Sequence, residues 1–504
     1  MASVFSTANG LRPWTRAEGA IASIPATSGR WLAFGVGSAA LVGGALALNP
    51  AAGFGIAILL AVGLAAVLRP VNILGVLIAA VFLELVKLQG VAVTRLIAPI
   101  ALVVVLAAAV RKETAIRWSP PLGWAIAYAL WAIASGLWTQ SVDGTIFSLA
   151  SLSIAIVYML AFASLITTKA ELNRVLYMFT IFSLVLGALS ILAFTGRHPL
   201  GFTLTGEGRS GGGTGNPNYF AAIQVITFPM ILVLAANATK RWVLAFLVIA
   251  GLVNIGSVIS TVSRGGTLSL VLVIMLILLL PAQALFRARW QKVVAVTVIV
   301  LAATTFVVRY SGDVVPRLSS IFAGSQGTEA GSGRLAIWPV AWNEFQEHPI
   351  TGIGFGAFVE VSIDRILGSP GSQDFDLPKT QPKEVHNAYL GSLAELGIPG
   401  LFFFMGLLIS TILALRRTAR RARKLGEHFI ANVANALILS LAGWAVGSIF
   451  AESETARPRW IVIGICLALP KLLSSRIADP ASAPSRPDWF TPRPREPQYR
   501  SEGG

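Results

Sequence analysis

The chain has 504 residues, 55% hydrophobic and only 12% charged, with a mean hydropathy of +0.73. A water-soluble protein of this length has no core large enough to hide that much apolar surface, so a lipid bilayer is its expected solvent. The net charge of +16 raises nucleic acid as a partner, but the cations fall in blocks between apolar stretches, the pattern of membrane topology. Nucleic acid is therefore not an expected partner. Cys466 is the only cysteine and lies in the last apolar stretch, which excludes a disulfide framework and a thiolate metal cluster.

In chain order, residues 1–30 are polar and lack the charged start, short apolar run and cleavage site of a removed signal peptide. They are expected to be a cytoplasmic segment, followed by a retained first helix. A spanning helix needs about 20 mostly apolar residues. Candidate spans fall near 31–49, 50–68, 71–88, 93–110, 119–138, 146–166, 175–194, 218–237, 242–261, 265–285 and 293–308, then 389–415, 430–452 and 459–474. The expected fold class is thus an all-α membrane protein, a polytopic bundle of about 12–14 transmembrane helices. Its parts are helices over 31–308, a large loop over 309–388, helices over 389–474, and a tail over 475–504 too rich in Pro, Arg, Ser and Asp to order itself. Glu84 and Lys87, three apart in one apolar stretch, are expected to pair with each other.

If the spans alternate, most of the 39 Lys and Arg residues fall on one side, including the run at 416 to 424. By the positive-inside rule that side is cytoplasmic, with both termini there. The run at 416 to 424 reads as a topology anchor, with anionic headgroup binding as the alternative. The turn at 195–217, the Arg264 motif and the long loop then face outward. Within that loop, Leu335, Trp338, Trp342 and Phe345 recur at helical spacing while Asn343, Glu344 and Glu347 fall elsewhere on the wheel. This predicts an amphipathic surface helix opening just after Gly333, with Pro339 in its second turn. His348 before Pro349 reads as its stop. Residues 368 to 383, with Pro370, Pro378 and Pro382, read as irregular structure. Asn387 is placed to cap the next span, with His386 at its outward N-terminus.

Three short polar motifs stand out against this apolar background: Ser263-Arg264-Gly265-Gly266, the Arg334 to Trp338 start of the surface helix, and Glu384-Val385-His386-Asn387. Each has a plain structural reading. Arg264 snorkels to headgroups, Arg334 caps or salt-bridges its helix, and a single loop histidine is solvated. Asn216 and Asn218 read first as turn and cap residues. Read together on one membrane face, the motifs suggest anion recognition. A guanidinium fork matches phosphate oxygens, a departing diphosphate needs its charge stabilised, and a neutral imidazole at His386 can take a proton from an attacking hydroxyl. Glu384 is placed to orient that imidazole. The four histidines share no ligand spacing, so neither a metal nor another cofactor is expected.

Taken in order, Ser-Arg-Gly-Gly at 263 to 266, the Arg334 and Trp338 helix followed by His-Pro-Ile-Thr-Gly-Ile-Gly-Phe-Gly at 348 to 356, and His-Asn-Ala-Tyr-Leu at 386 to 390 with Glu-Leu-Gly at 395 to 397 resemble the O-antigen ligase and polymerase family. The resemblance spans roughly residues 200–410. It implies a bacterial inner-membrane, metal-independent, inverting glycosyltransferase that takes a preassembled glycan from an undecaprenyl-diphosphate carrier on the periplasmic face. The acceptor is the lipid A core in ligases, another glycan in polymerases and a protein in some members; these motifs do not choose among them. Arg264 and Arg334 would clamp the diphosphate and His386 would act as base. Arg209, Asn218, Lys383, Glu384 and Asn387 would be further substrate contacts. A transporter of a small anion such as bicarbonate is the alternative reading, though it has no need of a long amphipathic outward loop. Oligomeric state is not encoded in these motifs.

Overall fold

A computed structural model describes residues 70–84, 87–88, 91–110, 118–197, 204, 208–309, 311–312, 334–368, 384–451 and 455–474. The expected spans at 31–49 and 50–68, the segment 1–30, the tail 475–504 and Lys383 lie outside the described residues.

The architecture is helical: α1 (Asn72–Phe82), α2 (Val93–Val110), α3 (Pro120–Ala134), α4 (Val142–Leu165), α5 (Lys169–Phe194), α6 (Pro217–Asn237), α7 (Arg241–Ser260), α8 (Arg264–Leu279), α9 (Arg289–Arg309), α10 (Arg334–Glu347), α11 (Ala357–Gly368), α12 (Ala388–Lys424), α13 (His428–Gly447) and α14 (Arg457–Ser474). A two-residue antiparallel pair, β1 (Lys87–Leu88) with β2 (Val91–Ala92), precedes α2. Among the described residues, eight helices (α2, α4, α5, α6, α7, α9, α12 and α13) are long and apolar enough to cross a membrane, and α1 and α8 are shorter apolar helices. This is an all-α, polytopic membrane protein.

Local chemistry sets most helix starts. Ser141 caps α4 by accepting from Gly144 N at 3.2 Å, and Thr168 and Glu171 form a capping box on α5. Asn216 accepts from Asn218 N and Tyr219 N ahead of Pro217 at the start of α6. Ser263 caps α8 and Asn387 caps α12. The 37 residues of α12 are not one straight rod, because Gly397 has φ 66° and ψ −166°. That residue lies against the Ile350 carbonyl, 2.3 Å from where a Cβ would stand. Only glycine accepts both the backbone angle and the approach.

Helix α6 is central and largely buried, whereas α9 leaves most of its apolar residues uncovered by the described residues. Helix α12 packs against α3 and α13, α13 against α6 and α8, α5 against α7, and α14 against α4. Several polar side chains inside the bundle are bonded to one another. Ser183 Oγ donates to Gln224 Oε1 (2.5 Å), and Asn254 Nδ2 donates to the same oxygen (2.8 Å), tying α5, α6 and α7 where lipid offers no partner. Arg459, 1% exposed, lies 4.7 to 5.1 Å from the ring centres of Phe404, Trp444 and Trp460, which face its charge with their π electrons.

The expected amphipathic helix is α10, beginning at Arg334 and ending before His348. Its apolar face packs on protein as well: Ile337, Val340 and Ala341 join Ile353, Phe358, Val385 and Ala394 in one buried cluster. The long loop also contains a second helix, α11, which the sequence reading left as loop. Residues from the first turns of α2, α4, α6 and α14 line one cavity, and the start of α8 lies against Gly447 and Phe450 beyond α13. These helix beginnings gather at one end of the bundle. The basic run at 416 to 424, at the far end of α12, lies at the other.

Candidate functional site

His386 and Asn218 line a cavity of about 690 Å³ at the gathered end, together with Glu84, Arg95, Glu395 and Arg457. His386 has φ 53°, a left-handed conformation rare for a residue with a Cβ and sustained only where the surroundings over-determine it. The surroundings do. Trp338 Nε1 donates to the carbonyl of Val385 (3.1 Å), Ala388 N donates to the Ser448 carbonyl (2.9 Å), and Tyr389 Oη donates to the Ala445 carbonyl (2.7 Å). Asn387 Oδ1 accepts from Tyr389 N and Leu390 N (3.0 and 3.1 Å). The imidazole remains 32% exposed, with Nδ1 3.6 Å from Glu384 Oε2. That is too long for a hydrogen bond, but it lets Glu384 attract the ring once it is protonated.

Glu395 lies in α12 just before the kink and is 3% exposed. Its carboxylate accepts from Gly356 N (2.7 Å) and Phe358 N (3.3 Å) at the opening of α11, where orphan amides favour negative charge. Ile353 N and Gly354 N donate to the carbonyls of Ala394 and Glu395 (3.0 and 2.9 Å). The glycine-rich run at 348 to 356 is thus the strap that fixes α11 to α12 and forms a cavity wall.

The Arg264 motif begins with a second strained residue, Val262 at φ 47°, uncommon for a β-branched side chain. Ser263 Oγ donates to Asn218 Oδ1 (2.8 Å), and Arg209 donates from Nη2 to the same oxygen (2.9 Å) and from Nε to the Thr261 carbonyl (3.1 Å). Asn218 is therefore the node that joins Arg209 and the Ser263 turn to the cavity. Gly266 permits this close approach, since a Cβ there would stand 2.4 Å from the Ala221 Cβ. Arg264 itself is half-buried and is not among the described lining residues of the cavity. Helix α10, which carries Arg334, is joined to the His386 turn through Trp338, while the Arg334 side chain lies outside the described residues. His386, Glu384 and Asn218 thus share one cavity, Arg209 touches it through Asn218, and Arg264 stands on an adjoining turn.

Sequence reasoning passed over Arg457, Arg95, Asp143 and Glu360 and gave no role to Glu395 beyond its place in a motif, yet all five line the cavity. Arg95 lies over the Phe147 ring at 4.2 Å. Glu84 pairs with Arg457, while the side chain of Lys87, its expected partner, lies outside the described residues. Helix α1 ends at Phe82, so Glu84 and Lys87 do not share a helical face. The available signal was a carboxylate inside an apolar stretch, which by itself marks a functional position. One described cluster has metal-ligand types, with atoms of Glu344, Glu347 and His348 within 4.8 Å of one another. Glu344 is already matched by Arg365 (3.0 Å), and His348 Nε2 by Gln140 (3.2 Å). Burial pushes the Glu344 carboxyl above its ordinary value, with Arg365 partly offsetting the shift.

A comparison with curated proteins gives no match. Residues 249–405 match the family model described as O-antigen ligase. That stretch, about a third of the chain, runs from α7 through the Ser263 turn, α10, the strap and His386 to the first turns of α12 beyond Gly397. Through residues 249–405, this multi-pass membrane protein is similar to the O-antigen ligase family.

Proposed function

We propose that the protein transfers a preassembled glycan from an undecaprenyl-diphosphate carrier to an acceptor hydroxyl, and that the 690 Å³ cavity is where it does so. The observation that carries this reading is His386 held at a strained turn on the cavity wall beside Asn218, inside the matched domain. In the proposed step the acceptor oxygen bonds to the anomeric carbon from the face opposite the carrier, giving inversion. The bond from that carbon to the diphosphate oxygen breaks, and its electron pair leaves with the diphosphate. His386 takes the hydroxyl proton. Arg264 and Arg334 are assigned to the carrier diphosphate, with Arg209, Asn218, Lys383, Glu384 and Asn387 as supporting contacts. No step of this sequence calls for a metal ion.

The distribution of charge supports a periplasmic cavity in an inner membrane. Lys169, Arg174, Lys240, Arg241, Arg289 and the run at 416 to 424 lie at the bundle end opposite His386, the end the positive-inside rule assigns to the cytoplasm. The acceptor is a glycan or a lipid A core sugar. The test is His386→Ala in lipid nanodiscs supplied with a polyprenyl-diphosphate oligosaccharide and an acceptor. Transfer should fall by about 10² to 10⁴, the usual share of general-base help, with melting temperature unchanged. A variant transferring within a few-fold of the parent would remove His386 from the chemistry. Anion uptake into vesicles that depends on Arg264 would favour a transporter instead.

A further inference from the structure

Building on the transferase reading, we propose that Arg457 is a diphosphate-binding residue of this cavity and that Glu84 is an internal counter-anion which the incoming diphosphate displaces. Of the described residues that line the cavity, Arg95 and Arg457 bring guanidinium groups, and Arg264 is not among them. Arg95 lies over the ring of Phe147, which is on α4 with Asp143, and Glu360 lines the same cavity. These two carboxylates repel an anion and suit the hydroxyl groups of a sugar, which donate to carboxylates. Arg457 has other company. It lines the cavity together with Thr214, Asn216, Asn218 and Tyr219, which are uncharged hydrogen-bonding groups.

Arg457 is also the first residue of α14, where the helix's free amides give a positive end that favours phosphate oxygens. It is 8% exposed. Its Nη1 pairs with Glu84, and its Nε is buried without a hydrogen-bond partner among the described residues. A guanidinium has five donors in a fixed fork, so a single carboxylate leaves capacity that a diphosphate can fill. Glu84 is suited to yield. It stands in the turn just past α1, outside any helix, and its side chain is 24% exposed against 10% for that of Arg457. A buried pair retained only for stability would do as well with apolar side chains. A pair opening onto a cavity holds the arginine charged and oriented until a stronger anion arrives.

The test uses the full chain in phosphatidylcholine nanodiscs and inorganic pyrophosphate as probe, with affinity read by calorimetry and folding by melting temperature. Arg457→Ala should weaken pyrophosphate binding by about 10- to 100-fold, the worth of one or two charge-assisted bonds. Glu84→Gln should strengthen it by about 10-fold, because the competing charge is gone. A merely structural pair predicts the reverse for Glu84→Gln, a less stable protein that binds no better. Should Arg457→Ala fail to fold, Arg457→Lys keeps the charge but loses the fork and should bind several-fold more weakly. Unchanged affinity in the arginine variant, or weaker binding in Glu84→Gln, overturns the proposal while leaving the transferase reading standing. Absence of pyrophosphate binding by the unmodified protein strikes the transferase reading itself. Loss of the Arg457-dependent signal in phosphatidylglycerol nanodiscs would assign Arg457 to bilayer headgroups and overturn its assignment to a carrier diphosphate.

Discussion

Replacing Asn218 with alanine removes one oxygen that accepts two hydrogen bonds, from Arg209 Nη2 at 2.9 Å and from Ser263 Oγ at 2.8 Å. The Ser263 hydroxyl is 1% exposed and finds no water in exchange, so its loss costs about 1 kcal/mol, while the bond from a charged guanidinium is worth about 1.5 to 3 kcal/mol. Arg209 keeps its bond to the Thr261 carbonyl and is half-buried, which places the total near 3 kcal/mol. Asn218→Ala should therefore lower the unfolding free energy by about that amount in detergent micelles titrated with denaturant. Asn218→Asp keeps the acceptor and adds a charge that attracts Arg209, so stability should stay within about 1 kcal/mol of the parent. The new charge faces the cavity, and glycan transfer should fall at least about 10-fold through repulsion of the diphosphate. An alanine variant with the parental midpoint would mean the node carries no load. An aspartate variant transferring at the parental rate would refute anion binding at this end of the cavity.

Two further outcomes follow from the geometry. Gly397→Ala puts a Cβ 2.3 Å from the Ile350 carbonyl at φ 66°, and should destabilise the protein by more than about 2 kcal/mol, read as a drop in melting temperature; an unchanged value would contradict the kink. Glu344 has its carboxyl raised by burial, so the folded state holds its proton more tightly than the unfolded state does. Its contribution to stability is then fully present below the ordinary carboxylate value and is lost as pH rises through the raised one. Glu344→Gln should flatten that acid-range decline in an unfolding series over pH, and an unaltered slope would remove Glu344 as its source.

What the sequence made legible was local. Asn387 caps the helix it was expected to cap, and α10 opens at Arg334 and stops before His348, because capping and proline signals act over three or four residues. The early end of α1 was not legible, since an apolar run past Phe82 does not announce a turn and a short hairpin. Nor was the pairing of Glu84 with Arg457, which bridges 373 positions in sequence. Helix α11 was missed because its start is fixed from outside, by the Glu395 carboxylate. Of the site, His386 and Asn218 could be found from motif and turn chemistry. The second arginine of the cavity could not, because Arg457 reads as an ordinary helix-end cation until the fold closes around it.

The kink at Gly397 has a consequence for depth. Beyond it, α12 continues for 27 residues, about 40 Å of helix, against a hydrocarbon thickness near 30 Å. The short piece before it adds about 13 Å at an altered angle. With α12 crossing the bilayer as proposed, His386 would stand level with the headgroups, the height at which the phosphates of a polyprenyl lipid float while its tail stays dissolved in the leaflet. In the proposed reaction, carrier and base would then meet by sliding sideways in two dimensions, with no extraction of the lipid, and the tail itself would serve as the rail that brings the sugar to the imidazole.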